Sequence, residues 1–460
     1  MFPESKPQSS RYLVFIICCV SLLLTSISNT SVSVAYPIIT SHFSSSLVIS
    51  GWVLSINLIV CAIIMPLSGR LTEIFGKKLV FTGSLALFVT GSLLCALAPN
   101  IYLLIFFRLI QSLGAGSFLP TTAGIISELF PDARQRMLGL LTSTFTIGML
   151  IGPNLGGWLV SEYSWSSVFW FNVPFGLLAF IFAIFIIPKS RFSKGEIDLT
   201  ALGLFAGSLF ALITGFTELN KSATWAIPAG LFALAIILIT VYLRRESKSE
   251  HHILDPYFLK SKAFVASNIY NFMWGLTTIG INSFVPLFLV KVYGMSTLLS
   301  GVLLTPRSVG TIIAAFSTSF FLTKWGYRRP MIAGNILNIV TLFILGVEYM
   351  DPTILGVTIN NTAWIGLIMF ISGIGMGTIG PAIDNVLVDL MPERAGTITG
   401  MKGMFRQIGG ATTIALTTMF LETVNDFNLG FQIVFWTICL LQIITTPVIF
   451  LMPRDPKSKN

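Results

Sequence analysis

Charge is what this sequence has little of. Only 10% of its 460 residues are Asp, Glu, Lys or Arg, where a soluble domain carries roughly 25%. Acids are the scarcer sign, 19 against 28 bases. A chain so poor in charge does not make a water-facing globular surface, which excludes a soluble enzyme or binding module. Histidine occurs three times, and two of the three, His251 and His252, are adjacent. The five cysteines, Cys18, Cys19, Cys61, Cys95 and Cys439, lie in apolar stretches. They show neither metal-ligand nor disulfide spacing, so no metal site is expected. There is no phosphate-cradling glycine loop and no nucleophile–base set, so neither a cofactor nor an enzyme activity is expected. No A-x-A cleavage site follows the first apolar run, and that run is too long for a signal-peptide core. It reads as a retained helix.

Hydrophobicity takes the place of charge: 54% of the residues are hydrophobic, and the mean hydropathy is +0.84. About fourteen runs reach the roughly 20 apolar residues that a spanning helix needs. The net charge of +9 would suit nucleic acid, but its placement suits a bilayer better. With both ends cytoplasmic, 22 of the 28 Lys and Arg residues fall in cytoplasmic segments. Two, Lys221 and Lys291, fall in external loops, and four, Arg108, Arg307, Lys402 and Arg406, fall inside helices. That asymmetry follows the positive-inside rule, and an odd number of spans would destroy it. The sequence therefore predicts a multi-pass protein of the cell membrane, both termini cytoplasmic, with no nucleic-acid partner.

The chain also repeats. Leu119-Pro120 through Glu128-Leu129-Phe130-Pro131-Asp132 aligns with Gly380-Pro381 through Asp389-Leu390-Met391-Pro392-Glu393. The same offset brings Gly139 onto Gly400 and Gly148 onto Gly409. Gly76-Lys77-Lys78 recurs more loosely as Gly326-Tyr327-Arg328-Arg329. Two six-helix halves related by an axis along the membrane normal produce this pattern. The expected divisions are a tail over 1–11, a first six-helix bundle over 12–190 and a linker with two extra helices over 191–250. A second six-helix bundle over 251–452 and a tail over 453–460 complete the chain.

Four stretches carry chemistry. In Gly139 to Gly157, the glycines Gly148, Gly152 and Gly156 share one helix side, and Pro153 cannot donate its N–H. Small residues let spanning backbones approach closely, which suits plain packing or a hinge. Gly69, Glu73, Gly76, Lys77 and Lys78 form a tight charged turn between the second and third helices. Arg108 lies mid-helix with Gln111 after it, and a guanidinium there faces the bundle interior, water or, by snorkelling, the interface. Asp384 is the only acid placed deep inside a helix, with Asp389 a turn closer to the cytoplasm. Lys402 and Arg406 share a helix face at i and i+4. An intramembrane carboxylate is a functional-site candidate, and pairing with Lys402 or Arg406 for packing is the plainer reading. The orientation of Arg307 is open, toward a cavity or outward.

Together these stretches resemble the major facilitator superfamily, and within it the fourteen-helix drug:proton antiporter group. Gly139, Gly148, Gly152, Pro153, Gly156 and Gly157 match all six positions of the antiporter motif on the fifth helix. Gly69 to Lys78 resembles the cytoplasmic gating loop, with Glu73 for its aspartate and Ile74 for the base that follows. Arg108 and Gln111 resemble the fourth-helix R-x-x-Q-G motif, with Ser112 at the glycine. Trp165 to Gly176, Glu196 to Leu199 and His252 to Leu259 resemble segments of the group. Ser28 stands where the first helix of the group usually carries an acid.

The resemblance implies an all-α membrane protein of the major facilitator fold, with two pseudo-symmetric six-helix bundles and two extra helices. It implies an exporter, expected as a monomer, that exchanges protons for an amphipathic small molecule, cations included. It assigns proton coupling or the substrate cavity to Asp384, Arg108, Gln111, Arg406, Lys402 and Ser28. The alternative is a proton-independent uniporter or a symporter of a small metabolite. The missing acid at Ser28 favours that alternative, and the complete fifth-helix motif disfavours it.

Overall fold

The computed structural model describes residues 8–188, 198–219, 225–248, 261–354, 356–390, 395–424 and 426–453. They form fourteen long helices, here α1 to α14. The first six are α1 Gln8–His42, α2 Leu47–Phe75, α3 Lys77–Ala96, α4 Ile101–Leu129, α5 Arg134–Glu162 and α6 Ser167–Ile186. A pair follows, α7 Leu199–Glu218 and α8 Ala226–Glu246. The last six are α9 Lys262–Lys291, α10 Thr297–Leu322, α11 Arg328–Val347, α12 Asn361–Leu390, α13 Ala395–Thr423 and α14 Phe427–Leu451. Thirteen are long and apolar enough to cross a membrane. The remaining one is α13, which carries Lys402, Arg406 and Glu422. Helices dominate because hydrocarbon offers the backbone no hydrogen-bond partner. Serine and threonine hydroxyls in the spans turn back onto carbonyls one turn earlier, as Thr25 does to Ser21 and Ser92 to Phe88. α1 is already helical at Gln8, within the stretch expected as a tail.

The even number of helices puts both chain ends on one face, the terminal face; the opposite one is the far face. The internal repeat is visible in the local geometry. Ser46 caps α2 and Ser296 caps α10 with the same backbone angles. Gly76 and Gly326 close the following turns at φ 78° and 68°, where a side chain would be strained. Each member of these two pairs lies 250 residues from its mate. In the same way α5 packs on α1 through glycine, and α13 packs on α9. Across the seam, α2 runs against α13, and α5 against α10. The pair α7–α8 sits outside this seam, against α13 and α2. Arg245 Nε donates to Asp198 Oδ2 at 2.6 Å and ties the two ends of that pair. This cation, and the Ala201 N–H that Asp198 caps, hold the Asp198 carboxyl below its ordinary pKa.

The far face is closed. Glu422 of α13 accepts the Val48 N–H at the start of α2 at 2.7 Å, a carboxylate placed on a helix N-terminus. Tyr36 of α1 meets Phe284 of α9 edge-on. Asn154 of α5 donates to Thr305 of α10 at 2.7 Å. Just beyond α11, Glu348 is buried with Oε1 unpartnered and Oε2 facing Gln432. Burial, helped by Asp426, raises its carboxyl to about 7.

The fifth-helix glycines do not all lie on the seam. A Cβ on Gly156 would sit 2.7 Å from Ser31 Cα, and one on Gly148 would sit 2.6 Å from Ser26 Cβ. Gly152 faces Thr30 and Ile27. These three bring α5 onto α1 within the first bundle. Gly157 reaches across to Leu298 of α10, and Pro153 supplies the carbonyl against which Gly301 packs. A Cβ on Gly139 meets nothing within 4 Å. The helix continues through Pro153.

Two outcomes are expected. Gly156→Leu should lower thermal stability by about 1–3 kcal/mol and abolish function, whereas Gly139→Leu should insert and melt as wild type. Equal melting of the two in detergent would sink the packing account. For Glu348, a folded-state pKa above the ordinary value of 4.5 means the folded chain holds the proton more tightly. Stability should fall as pH rises from about 4.5 to about 7 and then level off. Glu348→Gln should flatten that slope, which a melting series across pH will read.

Candidate functional site

Among the described residues, cations inside the spans form three clusters, at three depths. The first surrounds Arg108, which is 2% exposed. It is seven residues below the far end of α4, or about 10 Å at 1.5 Å per residue. Its Nε donates to the Val53 carbonyl at 3.2 Å and its Nη1 to Gln111 Oε1 at 2.7 Å. Gln111 Nε2 passes the chain on to Ser92 Oγ at 2.7 Å and more weakly to Ser28 Oγ at 3.5 Å. Phe169 offers its ring face to the guanidinium, 5.8 Å away. Among the described residues no carboxylate pairs with Arg108. Carbonyl, amide and ring take the place of a counter-charge, since lone pairs and aromatic π-faces can serve a buried cation.

The second cluster is at Asp384, whose side chain is 45% exposed. Its Oδ1 accepts from Lys402 Nζ at 3.1 Å and Arg406 Nη2 at 2.6 Å. Lys402 also donates to the Asp384 carbonyl at 3.0 Å. Arg406 Nε donates to Asn271 Oδ1 at 2.7 Å, and its guanidinium lies 4.4 Å over the Trp274 ring. Two cations thus share one carboxylate, leaving a net positive charge. Asp384 is six residues, about 9 Å, from the end of α12. The Asp389 side chain lies outside the described residues, as do Glu196 and His252 to Leu259.

The third cluster is at Arg307, which points inward. It is 7% exposed and sits ten residues, about 15 Å, below the far end of α10. It borders two small adjoining pockets. One opens on the seam beside Thr146, Met149 and Pro153 of α5, and the other lies among α9, α11 and α12. Its Nη1 donates to Asn282 Oδ1 at 2.6 Å. The π-helical turn Leu276–Ile281 interrupts α9 beside it and turns Thr277 and Thr278 toward the cavities. Such turns recur at functional sites.

Asp384, Lys402 and Arg406 come together as the sequence suggested, and so do Arg108, Gln111 and Ser28. The two groups do not join: one lies toward each face, in separate bundles. The gating-loop charges also stay within the first bundle. Glu73 pairs with Arg70 at 2.9 Å, Lys77 pairs with Glu128, and Lys78 donates to the Ile184 carbonyl at 2.6 Å. Gly69 is open on its Cβ side. Sequence reasoning missed Asn282 and the π turn. The available signal was a run of polar residues, Thr277, Thr278, Asn282 and Ser283, in an otherwise apolar helix.

A sequence profile described as Major Facilitator Superfamily matches residues 18–200, 199–414 and 308–460. The chain belongs to this superfamily. The Multidrug transporter protein MdtP of Bacillus subtilis (strain 168) is 29% identical over 424 residues, covering 90% of this chain and 76% of the relative. Multidrug resistance protein 3 of the same organism is 29% identical over 439 residues, 92% and 83% of the two chains. Among solved structures, the D-xylose-proton symporter superposes with TM-score 0.69 at 14% identity, over 98% of this chain and 99% of that one. The superfamily fold explains the paired bundles and the central seam; the Asp384 and Arg307 clusters line or approach that seam.

Removing the shared carboxylate leaves two buried cations facing each other. Asp384→Asn should therefore cost about 1–3 kcal/mol, less than a fully buried pair because the carboxylate is half exposed. Adding Lys402→Met should recover most of that loss in thermal melting. If the double variant melts no higher than Asp384→Asn, the cations do not compete for this carboxylate.

Proposed function

We propose that this superfamily member exports an amphipathic small molecule across the cell membrane in exchange for protons, by alternating access. The terminal face is read as cytoplasmic because the basic residues crowd there, from Arg11, Arg70, Lys77 and Lys78 to Arg328 and Arg329. The division into bundles over 12–190 and 251–452 with a two-helix linker is kept as part of this reading. The relatives named for multidrug transport and resistance support the export direction.

The observation that carries proton coupling is Asp384. It is the one carboxylate, among the described residues, set more than one turn inside a spanning helix. Protonating it breaks both ion pairs at once and frees α12 from α13 at the terminal side. The far face is sealed by Glu422, Tyr36 and Asn154, while Thr142 and Ser143 of α5 are exposed toward the terminal face. This arrangement suits a state open to the cytoplasm. Rocking would break the far-side contacts and bring the loop carrying Glu73 and Lys77 against the other bundle. Arg108, Gln111 and Ser28 then serve as a rigid polar brace in the first bundle. The fifth-helix glycines keep α5 and α1 moving as one body.

The test is uptake of a dye panel into everted vesicles with and without an imposed pH gradient. Wild type should respond to the gradient. Asp384→Asn/Lys402→Met should lose at least tenfold of the gradient-driven rate and keep downhill exchange. Full coupling in that variant, at equal membrane abundance, would remove Asp384 from the proton path.

A further inference from the structure

Among the described residues, the buried cations Arg307, Lys402 and Arg406 are met by one carboxylate, Asp384, which lies on the last two. Neither cavity beside Arg307 is lined by a carboxylate. Among the described residues the guanidinium has one hydrogen-bond partner, the neutral Asn282. Five N–H donors on a planar fork are thus mostly unspent, at a depth where hydration is poor. Nearer the terminal face, Lys402 and Arg406 share a single carboxylate and add a further unbalanced charge. On the first helix, Ser28 contributes none.

The guanidinium is also held in place. Gly373 of α12 lies against the Arg307 backbone, where a Cβ would come 2.8 Å from its carbonyl carbon. Thr311 Oγ1 donates to the Arg307 carbonyl at 2.9 Å. With its backbone clamped to α12 and Nη1 fixed by Asn282, the side chain crosses to the cavities. Hydroxyl and amide groups surround it there: Thr278, Ser308 and Thr311 on one side, Asn338 and Thr341 on the other. A fork of donors ringed by hydroxyls, midway along a spanning helix, matches a planar oxyanion and repels a cation.

We infer that the site around Arg307 receives an anion, the carboxylate or similar oxyanion of an amphipathic substrate. The inference rests on the transport reading for the purpose of the site; the binding itself does not depend on it. Recognition is by two parallel N–H donors of the guanidinium, with the apolar part of the substrate left to the Met149, Leu304 and Met376 side of the cavity. The cationic compounds suggested by resemblance are disfavoured at this position by like charge.

Two xanthene dyes of opposite charge, carboxyfluorescein and rhodamine 6G, separate the alternatives. Their fluorescence anisotropy is titrated with the purified full chain in a neutral detergent. Carboxyfluorescein should bind saturably and at least tenfold tighter than rhodamine 6G. Arg307→Gln should weaken carboxyfluorescein tenfold or more and leave rhodamine 6G unchanged, and Arg307→Lys should retain part of the affinity. Asn282→Asp keeps the arginine and supplies the missing counter-charge, so it should abolish the anion preference even where Arg307→Gln is unstable. Tighter binding of rhodamine 6G, no saturable carboxyfluorescein binding, or wild-type behaviour of a folded Asn282→Asp chain overturns the inference. Binding needs no gradient, so the two readings fail separately. Anion binding without gradient-driven uptake leaves this inference standing and removes proton exchange. Gradient-driven export of rhodamine 6G alone does the reverse.

Discussion

A charge taken out of water must find partners, and in this protein positive charge outnumbers the acids available to meet it. The structure answers in three ways. Arg108 is surrounded by a carbonyl, an amide and a ring inside the first bundle. Lys402 and Arg406 divide one carboxylate between them. Arg307 keeps a single neutral partner and borders two small pockets. The three answers differ in how readily they come apart. A network closed on itself resists change, a shared carboxylate is undone by one proton, and an under-used fork is completed by a ligand. From far face to terminal face the order is Arg108, Arg307 and then the pair Lys402 and Arg406, and in the proposed cycle they act as brace, receptor and switch.

Close helix contact gives those groups fixed places. Glycine lets the α5 backbone meet α1, and the matching contact joins α13 to α9, where Gly275 lies against Arg406 and Gly409 against Phe272. Arg406 is therefore positioned by its own backbone as well as by Asp384 and Trp274. Between the bundles, glycine contacts recur, Gly157 on Leu298, Gly301 on the Pro153 carbonyl and Gly51 on Thr418. Beside them stand single hydrogen bonds and ring edges, such as Asn154 to Thr305 and Tyr36 to Phe284.

Much of this was legible beforehand, and the reasons are physical. Span number and the sidedness of basic residues are properties of single segments, so they can be counted along the chain. The meeting of Asp384 with Lys402 and Arg406 followed because consecutive helices with a short connection are neighbours, and their charges attract. Rotation about a helix axis is different, since it is set by segments distant in sequence. That is why the inward aim of Arg307, clamped by Gly373 sixty-six residues later, could not be read. It is also why the fifth-helix glycines, which have the spacing of a seam, pack mainly on α1. Within Trp165 to Gly176, Asn172 is buried and donates to the Val168 carbonyl, and Gly176 meets Val89.

The polar character of α13 reaches into the biogenesis of the protein. A helix with Lys402 and Arg406 in its terminal-side half partitions poorly into hydrocarbon as it leaves the translocation channel, since a cation at a helix centre costs about 2.5–3.5 kcal/mol and one nearer the end less. Its immediate predecessor, α12, carries the neutralising carboxylate and is already threaded when α13 emerges. The two therefore enter the bilayer best as a hairpin, with Asp384 acting first as an insertion partner.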